Sequence, residues 1–231
     1  MNLFYTPPEC VQEDRLILDG QEAVHAVKVM RHREGDQIFV TDGAGNLYKG
    51  KIKSISNREV TLTIHESKRE SQDIPRIKIA MGILKKRDRM EFAAEKCTEL
   101  GTGGFILFKS DHSEKTKVRR DRIENTVLSA MKQSQRLWLP EVEILESFDE
   151  LIEKKGEGVH IIVADQDSEN RELMIPEGCK ELILVAGPEG GLSSREQALW
   201  KKSGADSLWL GEKRLRAETA AVVLCTKVMV V

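Results

Sequence analysis

The sequence predicts an α/β protein in two parts: a small β-barrel over residues 1–72, then a larger α/β domain over 73–231. Three observations predict it. Short strand-like runs crowd the first 70 residues. From Ile77 onward, apolar strand-like runs alternate with helical patterns. Between them, the polar segment Glu66 to Asp73, ending at Pro75, reads as a linker.

In the first part, Gln37–Thr41 is strand-like, and Asp42-Gly43-Ala44-Gly45-Asn46 supplies the turn after it. Leu47–Ile52 and Val60–Ile64 follow as strands. A short helix is expected around Glu22–Met30, with Val24, Val27 and Met30 on one side. In the second part, Ile77–Leu84 is a strand. Asp88–Leu100 is a helix with Met90, Ala93, Ala94, Cys97 and Leu100 on one face and Gly101 as its stop. Phe105–Phe108 is a strand, and 119–137 a charged helix with the stripe Ile123, Val127, Ala130 and Met131. Strands recur at Val159–Ala164, Leu182–Ala186 and Leu208–Leu210. Ser193 with Glu196 reads as a capping box, and 217–230 as a last, strongly apolar helix.

Net charge is −2, so bulk electrostatics alone does not point to nucleic acid. The distribution says more than the total. Residues 76–136 carry a balance of +7, whereas 137–206 carry −9. The basic middle is a candidate polyanion surface, the alternative being a set of solvated helix faces. Cys10, Cys97, Cys179 and Cys225 form no C-x-x-C pair and read as reduced thiols of a cytoplasmic protein. The five histidines show no ligand spacing, so no metal is expected. The N-terminus lacks the pattern of a signal peptide, and no apolar run approaches a membrane span.

The chemistry concentrates in the last fifth. Leu182–Ala186 breaks into Gly187-Pro188-Glu189-Gly190-Gly191, and Leu208–Leu210 breaks into Gly211 through Arg216, before Ala217-Glu218-Thr219-Ala220. Two strands each end in a Gly-rich turn that feeds a helix. Glycine lets main-chain groups approach a ligand closely, so the two turns predict one backbone-lined small-molecule pocket.

These residues resemble the signature of the RsmE-type rRNA uridine-N3 methyltransferases of the SPOUT class. Lys85 to Arg89, Glu95-Lys96-x-Thr98-Glu99-Leu100-Gly101, Gln133-Ser134-x-Arg136 and Pro140 extend the likeness upstream. His25, Met30, Arg31 and Gly35-Asp36 carry it into the first part. Two places depart from the pattern. Ser110-Asp111-His112-Ser113 stands where the family has Ser-Glu-Arg-Ser, and Gln135 where it has a small residue. The resemblance implies a PUA-like RNA-binding barrel and a trefoil-knotted SPOUT domain. It also implies a homodimer whose partner is 16S rRNA within the small ribosomal subunit. S-adenosylmethionine would lie against Ala186, Gly187, Glu189, Gly190, Gly191, Leu210, Gly211, Leu215, Arg216 and Thr219.

Uridine N3–H must lose its proton to become a nucleophile, and charge then develops on the uridinate oxygens. Arg216 and Arg136 suit their stabilisation, because a guanidinium stays charged and presents a planar fork. Glu189, Glu218 or water would take the proton. His25, Lys28, Arg31 and Arg33, with Lys85, Arg87 and Arg89, are the candidate phosphate contacts. Two other readings stay open: methylation at another RNA position, and a non-catalytic RNA-binding assembly factor. A nucleotide-binding oxidoreductase is disfavoured, since its glycine fingerprint belongs on the first strand of its unit.

Overall fold

The strand-like runs of the first 70 residues join in one five-stranded sheet. The computed structural model describes residues 2–56, 58–113 and 117–229. By contacts these divide into two units, Met1–Gln72 with Met131–Leu139, and Asp73–Ala130 with Pro140–Val231.

In the first unit the strands are β1 (Leu3–Tyr5), β2 (Arg15–Asp19), β3 (Gln37–Thr41), β4 (Asn46–Ile55) and β5 (Glu59–Arg69), in the order β1-β3-β4-β5-β2. Only β1 and β3 pair in parallel; β3–β4, β4–β5 and β5–β2 are antiparallel. Phe4, Leu16, Leu18, Ile38, Val40, Ile52, Val60 and Leu62 meet in one core with Ala23 and Ala26 of the intervening helix. All five strands reach one core, so the sheet curls into an open half-barrel around the helix, with β1 and β2 as its edges.

Two expectations change here. The segment read as a linker from Glu66 is still strand as far as Arg69, because Glu66–Arg69 pair with Asn46–Lys49. Their polar side chains hid a ladder that depends on backbone groups. The helix expected at Glu22–Met30 begins earlier, as α1 (Gly20–Val24), and then widens to π winding over His25–Val29. Met30 N–H donates to His25 O at 2.9 Å, five residues back.

Residues 131–139 belong to this unit because they bond to the turn after β3. Gly45 N–H donates to Leu137 O at 3.0 Å, and Leu139 N–H to Gly43 O at 2.9 Å. Gly45 has φ +89, and a Cβ there would fall 2.5 Å from the Trp138 ring.

The second unit holds β6 (Arg76–Gly82), β7 (Gly104–Phe108), β8 (Glu141–Leu145), β9 (Val159–Ala164), β10 (Glu181–Ala186) and β11 (Asp206–Leu208). Every pairing is parallel, in the order β11-β9-β10-β6-β7-β8. The helices are α2 (Arg87–Leu100), α3 (Arg120–Gln133), which runs on into the first unit, α4 (Phe148–Glu153), α5 (Ser194–Lys202) and α6 (Ala217–Met229). On one face Ala80, Ile183 and Val185 pack with Phe148 and Leu151 of α4 and Trp200 of α5. The alternate residues Ile79, Met81 and Leu184 are equally buried. That side carries α6, which packs on β6, β10 and α2. Burial on both faces explains why Leu182–Ala186 is continuously apolar rather than alternating.

The sequence reading missed β1, β2, β8 and α4. The last expected strand lies two residues earlier, at Asp206–Leu208. The charged helix stops at Gln133 rather than 137. Of the apolar end of the last helix, Val230 and Val231 lie outside the described residues.

Candidate active site

Strands β9, β10 and β11 are neighbours and parallel, so their carboxyl ends open on the same edge of the sheet. That edge is where ligands bind in parallel α/β sheets. A cavity of about 650 Å³ lies there, wholly within the second unit. Three segments wall it: Val163–Asp167 at the end of β9 and beyond, Gly187–Leu192 after β10, and Leu210, Gly211 and Lys213–Ala217 after β11. Arg89 of α2, Gln197 and Trp200 of α5 and Ala220 of α6 complete the wall.

The structure thus brings together most of the expected small-molecule contacts: Gly187, Glu189, Gly190, Gly191, Leu210, Gly211, Leu215 and Arg216 all line the cavity. Ala186 is buried inside β10 and Thr219 is exposed on α6; neither is on the wall. Gly191 and Gly211 have φ +74 and +130, and a Cβ on either would meet no protein atom within 4 Å. The main chain there turns in a way only glycine adopts freely, beside open space.

A glycine that the sequence reading did not single out makes the first turn possible. A Cβ on Gly82 would lie 2.7 Å from the Pro188 ring and nitrogen. Gly82 ends β6, next to β10, so its bare Cα lets the turn cross close above the sheet.

The turn is braced from behind by residues 110–113, the segment that departs from the family pattern. The fully buried Glu196 carboxylate accepts from Ser110 Oγ at 2.9 Å and Ser193 N–H at 2.8 Å through one oxygen, and from Asp111 N–H at 3.0 Å through the other. Ser193 Oγ accepts from Glu196 N–H, completing the expected capping box. Arg195 holds Asp111 by two bonds of 3.0 Å and also reaches Asp149. The Arg195 guanidinium, with the Ser193 hydroxyl, lowers the Asp111 carboxyl to about 2.

The wall after β9 is fixed by cross-links to β11. Trp209 N–H donates to Asn170 O at 2.8 Å, and Arg171 stacks 4.0 Å from the Trp209 ring centre. Sequence reasoning missed Asp165–Asp167 as cavity residues. Their signal was position, directly after a strand that proves to neighbour β10.

The candidate catalytic groups separate. Arg216 is exposed and lines the cavity. Glu189 Oε2 accepts from Lys85 N–H at 3.1 Å, and its Oε1 from Arg89 Nη1 at 3.1 Å. Glu218 is buried in the first turn of α6, with Oε1 3.4 Å from Arg89 Nε and Oε2 without a hydrogen-bond partner. Arg136 belongs to the first unit, half-buried, directly after Gln135.

Of the candidate phosphate contacts, Lys28, Arg31 and Arg33 are exposed on the first unit, while His25 is half-buried with its ring 5.6 Å from Phe4. Lys85 and Arg87 are exposed on the second unit. Arg89 is instead turned to the cavity. Among the described residues, no group of three His, Cys, Asp or Glu side chains could hold a metal. None of their helices is long and apolar enough to cross a membrane.

Comparison with known proteins is consistent along the chain. A family model for an RNA methyltransferase domain matches residues 70–229, and one for an RNA methyltransferase PUA domain matches 18–64. The chain is 32% identical to the Ribosomal RNA small subunit methyltransferase E of Bacillus subtilis, covering 88% of this chain and 85% of that protein. It is 31% identical to a solved probable rRNA-methyltransferase from Porphyromonas gingivalis, with TM-score 0.83 over 98% of this chain and 96% of the other. A structure of the Neisseria gonorrhoeae Ribosomal RNA small subunit methyltransferase E, bound to S-adenosyl methionine, shares the fold at TM-score 0.86. It is 23% identical and covers 98% of this chain and 95% of its own.

Proposed function

The chain belongs to the RNA methyltransferase family, and from that membership we propose that it transfers the methyl group of S-adenosylmethionine to N3 of a uridine in 16S rRNA. The observation that carries the reading is the convergence of both Gly-rich turns and Arg216 on one cavity. The residues fit the donor. The space is adequate for a nucleoside bearing an amino-acid tail, and its wall is largely backbone at Gly187, Gly190, Gly191 and Gly211.

S-adenosylmethionine supplies a methyl carbon already activated on a sulfonium. The protein's task is to position and to stabilise. The two turns hold the donor by main-chain groups that need no reorganisation. Arg216 sits on the cavity wall, where its guanidinium can meet the uridinate oxygens as N3 loses its proton. Both Glu189 oxygens are engaged by the protein, whereas Glu218 Oε2 has no partner. Glu218, however, is not on the cavity wall and that oxygen is buried, so solvent is the more direct route for the proton, with the two carboxylates as the alternatives. Arg136 belongs to the first unit and does not line the cavity.

The further parts of the reading are that the chain acts as a homodimer in the cytoplasm and that its substrate is the assembled small subunit. The trefoil-knotted path of the second unit belongs to it as well. The test is incubation of small subunits from a strain lacking this protein with labelled S-adenosylmethionine, followed by nucleoside analysis. Label in 3-methyluridine is expected. Label in another nucleoside, or none, overturns the assignment.

A further inference from the structure

The geometry points to Arg89 as a positioning residue that ties the first Gly-rich turn to the last helix and so sets the shape of the methyl-donor pocket. The inference rests on the methyltransferase reading and goes beyond it, because it takes Arg89 out of the RNA-contacting set.

Arg89 lies in the first turn of α2. Its Nη1 donates to Glu189 Oε1 at 3.1 Å, and its Nε faces Glu218 Oε1 at 3.4 Å. Glu189 stands in the turn after β10 and Glu218 at the start of α6, next to the lining residue Ala217, so one guanidinium links the turn to the helix start beside the cavity. A planar fork can serve two carboxylates at once, which an ammonium on a single point cannot do with the same geometry. The Arg89 side chain is 22% exposed and that of Glu218 only 9%. The guanidinium is thus hydrogen-bonded to one carboxylate and ion-paired with a second inside the protein, which disfavours a phosphate contact. Arg89 also supplies the cation beside a carboxylate that burial would otherwise leave uncompensated. Lys85 N–H fixes the other oxygen of Glu189, so the segment from Lys85 to Arg89 holds the turn at two points.

The test measures S-adenosylmethionine affinity by calorimetry and RNA KM at saturating donor, for wild type, Arg89→Met, Arg89→Lys, Glu189→Gln and the Arg89→Met/Glu189→Gln double variant. Arg89→Met should weaken donor binding about tenfold or more, the loss expected for charge-assisted bonds. RNA KM should stay within about threefold, and Arg89→Lys should restore part of the donor affinity. The double variant should lose less than the product of the single losses, because both substitutions cut the same link. If Arg89→Met fails to fold, Glu189→Gln alone carries the test in the same direction. Unchanged donor affinity in folded Arg89 variants overturns the inference, as does a raised RNA KM with donor affinity intact, which would make Arg89 a phosphate contact. Donor affinity falling and RNA KM rising together, in step with melting temperature, also overturns it, as a merely structural effect. Wild-type protein that binds no S-adenosylmethionine would instead defeat the functional reading itself.

Discussion

His112 holds the first Gly-rich turn through Gly190: its Nδ1 lies 3.2 Å from the Gly190 carbonyl oxygen and 3.1 Å from that of Gly191. The two residues are also in steric contact, since a Cβ on Gly190 would stand 3.1 Å from His112 Cβ. That is tighter than ordinary packing, so a larger side chain must move the turn or the histidine. Gly190→Val should therefore fold but bind S-adenosylmethionine much more weakly. Gly190→Ala should show a smaller loss, because the segment can yield by a few tenths of an ångström. Calorimetry on the folded variants checks this; full affinity in Gly190→Val would remove the turn from the pocket.

The brace behind that turn predicts a pH dependence. Arg195 and Ser193 lower the Asp111 carboxyl from 3.8 to about 2. A group whose folded pKa is depressed contributes stability above its unfolded value and loses it as pH falls through the folded value. Asp111→Asn keeps an acceptor oxygen but not the charge. It should be less stable than wild type at neutral pH, and the gap should close between about pH 4 and pH 2. Urea midpoints across that window provide the check. A gap independent of pH would mean that the charge is not what matters.

The capping box at Ser193 and Glu196 and the Gly101 stop of α2 could be read from sequence because each is written within a few residues. So could the apolar run of β10, since a strand buried on both faces has no polar alternation to confuse it. What escaped depends on distance along the chain. Arg89 meets carboxylates 100 residues and more away, and no local pattern encodes that. Strand β8 alternates Glu141, Val142, Glu143 and Ile144, and its acids are acceptable because Arg76 and Lys78 of β6 face them. Residues 110–113 escaped for the same reason: their bonds to Glu196 and to the Gly190 and Gly191 carbonyls, about 80 residues on, place them behind the first Gly-rich turn.

Gln135 illustrates a local signal that composition obscured. It has φ +59, the left-handed region where glycine is favoured. Gln135 N–H donates to Lys132 O and Arg136 N–H to Met131 O, the paired bonds that close a helix through a left-handed residue. Gly101 does the same for α2 at φ +117. The left-handed conformation costs a non-glycine residue about 1–2 kcal/mol. Glycine returns about 0.5–1 kcal/mol through a more flexible unfolded chain. Gln135→Gly should therefore stabilise the protein by about 0.5–1 kcal/mol. Chemical denaturation checks the sign, and a loss of stability would mean that the Gln135 side chain makes contacts worth more than the strain.

The proposed dimer is open to a direct measurement. In α6, Ala221, Leu224 and Cys225 are buried within the chain, while Val222, Val223, Val228 and Met229 are half-buried. Phe92 of α2, the helix packed on α6, is 46% exposed. Light scattering at micromolar concentration should give about twice the 26.1 kDa chain mass. A mass equal to one chain would overturn the dimer, and would leave the cavity within the second unit unaffected.

Arg216 offers the sharpest test of mechanism. It lines the cavity in the turn before α6, and its carbonyl accepts the Ala220 N–H at 2.8 Å, so its main chain is fixed by the helix that follows. Its side chain is exposed, which leaves the guanidinium available to a bound uridine. Arg216→Lys keeps the charge and loses the planar fork. If Arg216 stabilises the uridinate, the fold and most of the donor affinity should survive, while the single-turnover rate falls by about ten- to a thousandfold. The competing view is that Arg216 only helps to hold the turn. Substitutions would then lower activity in proportion to melting temperature, with lysine among the mildest. Single-turnover rates at saturating RNA and donor separate the two. A near-normal rate for Arg216→Lys in a stably folded protein would exclude a transition-state role for Arg216.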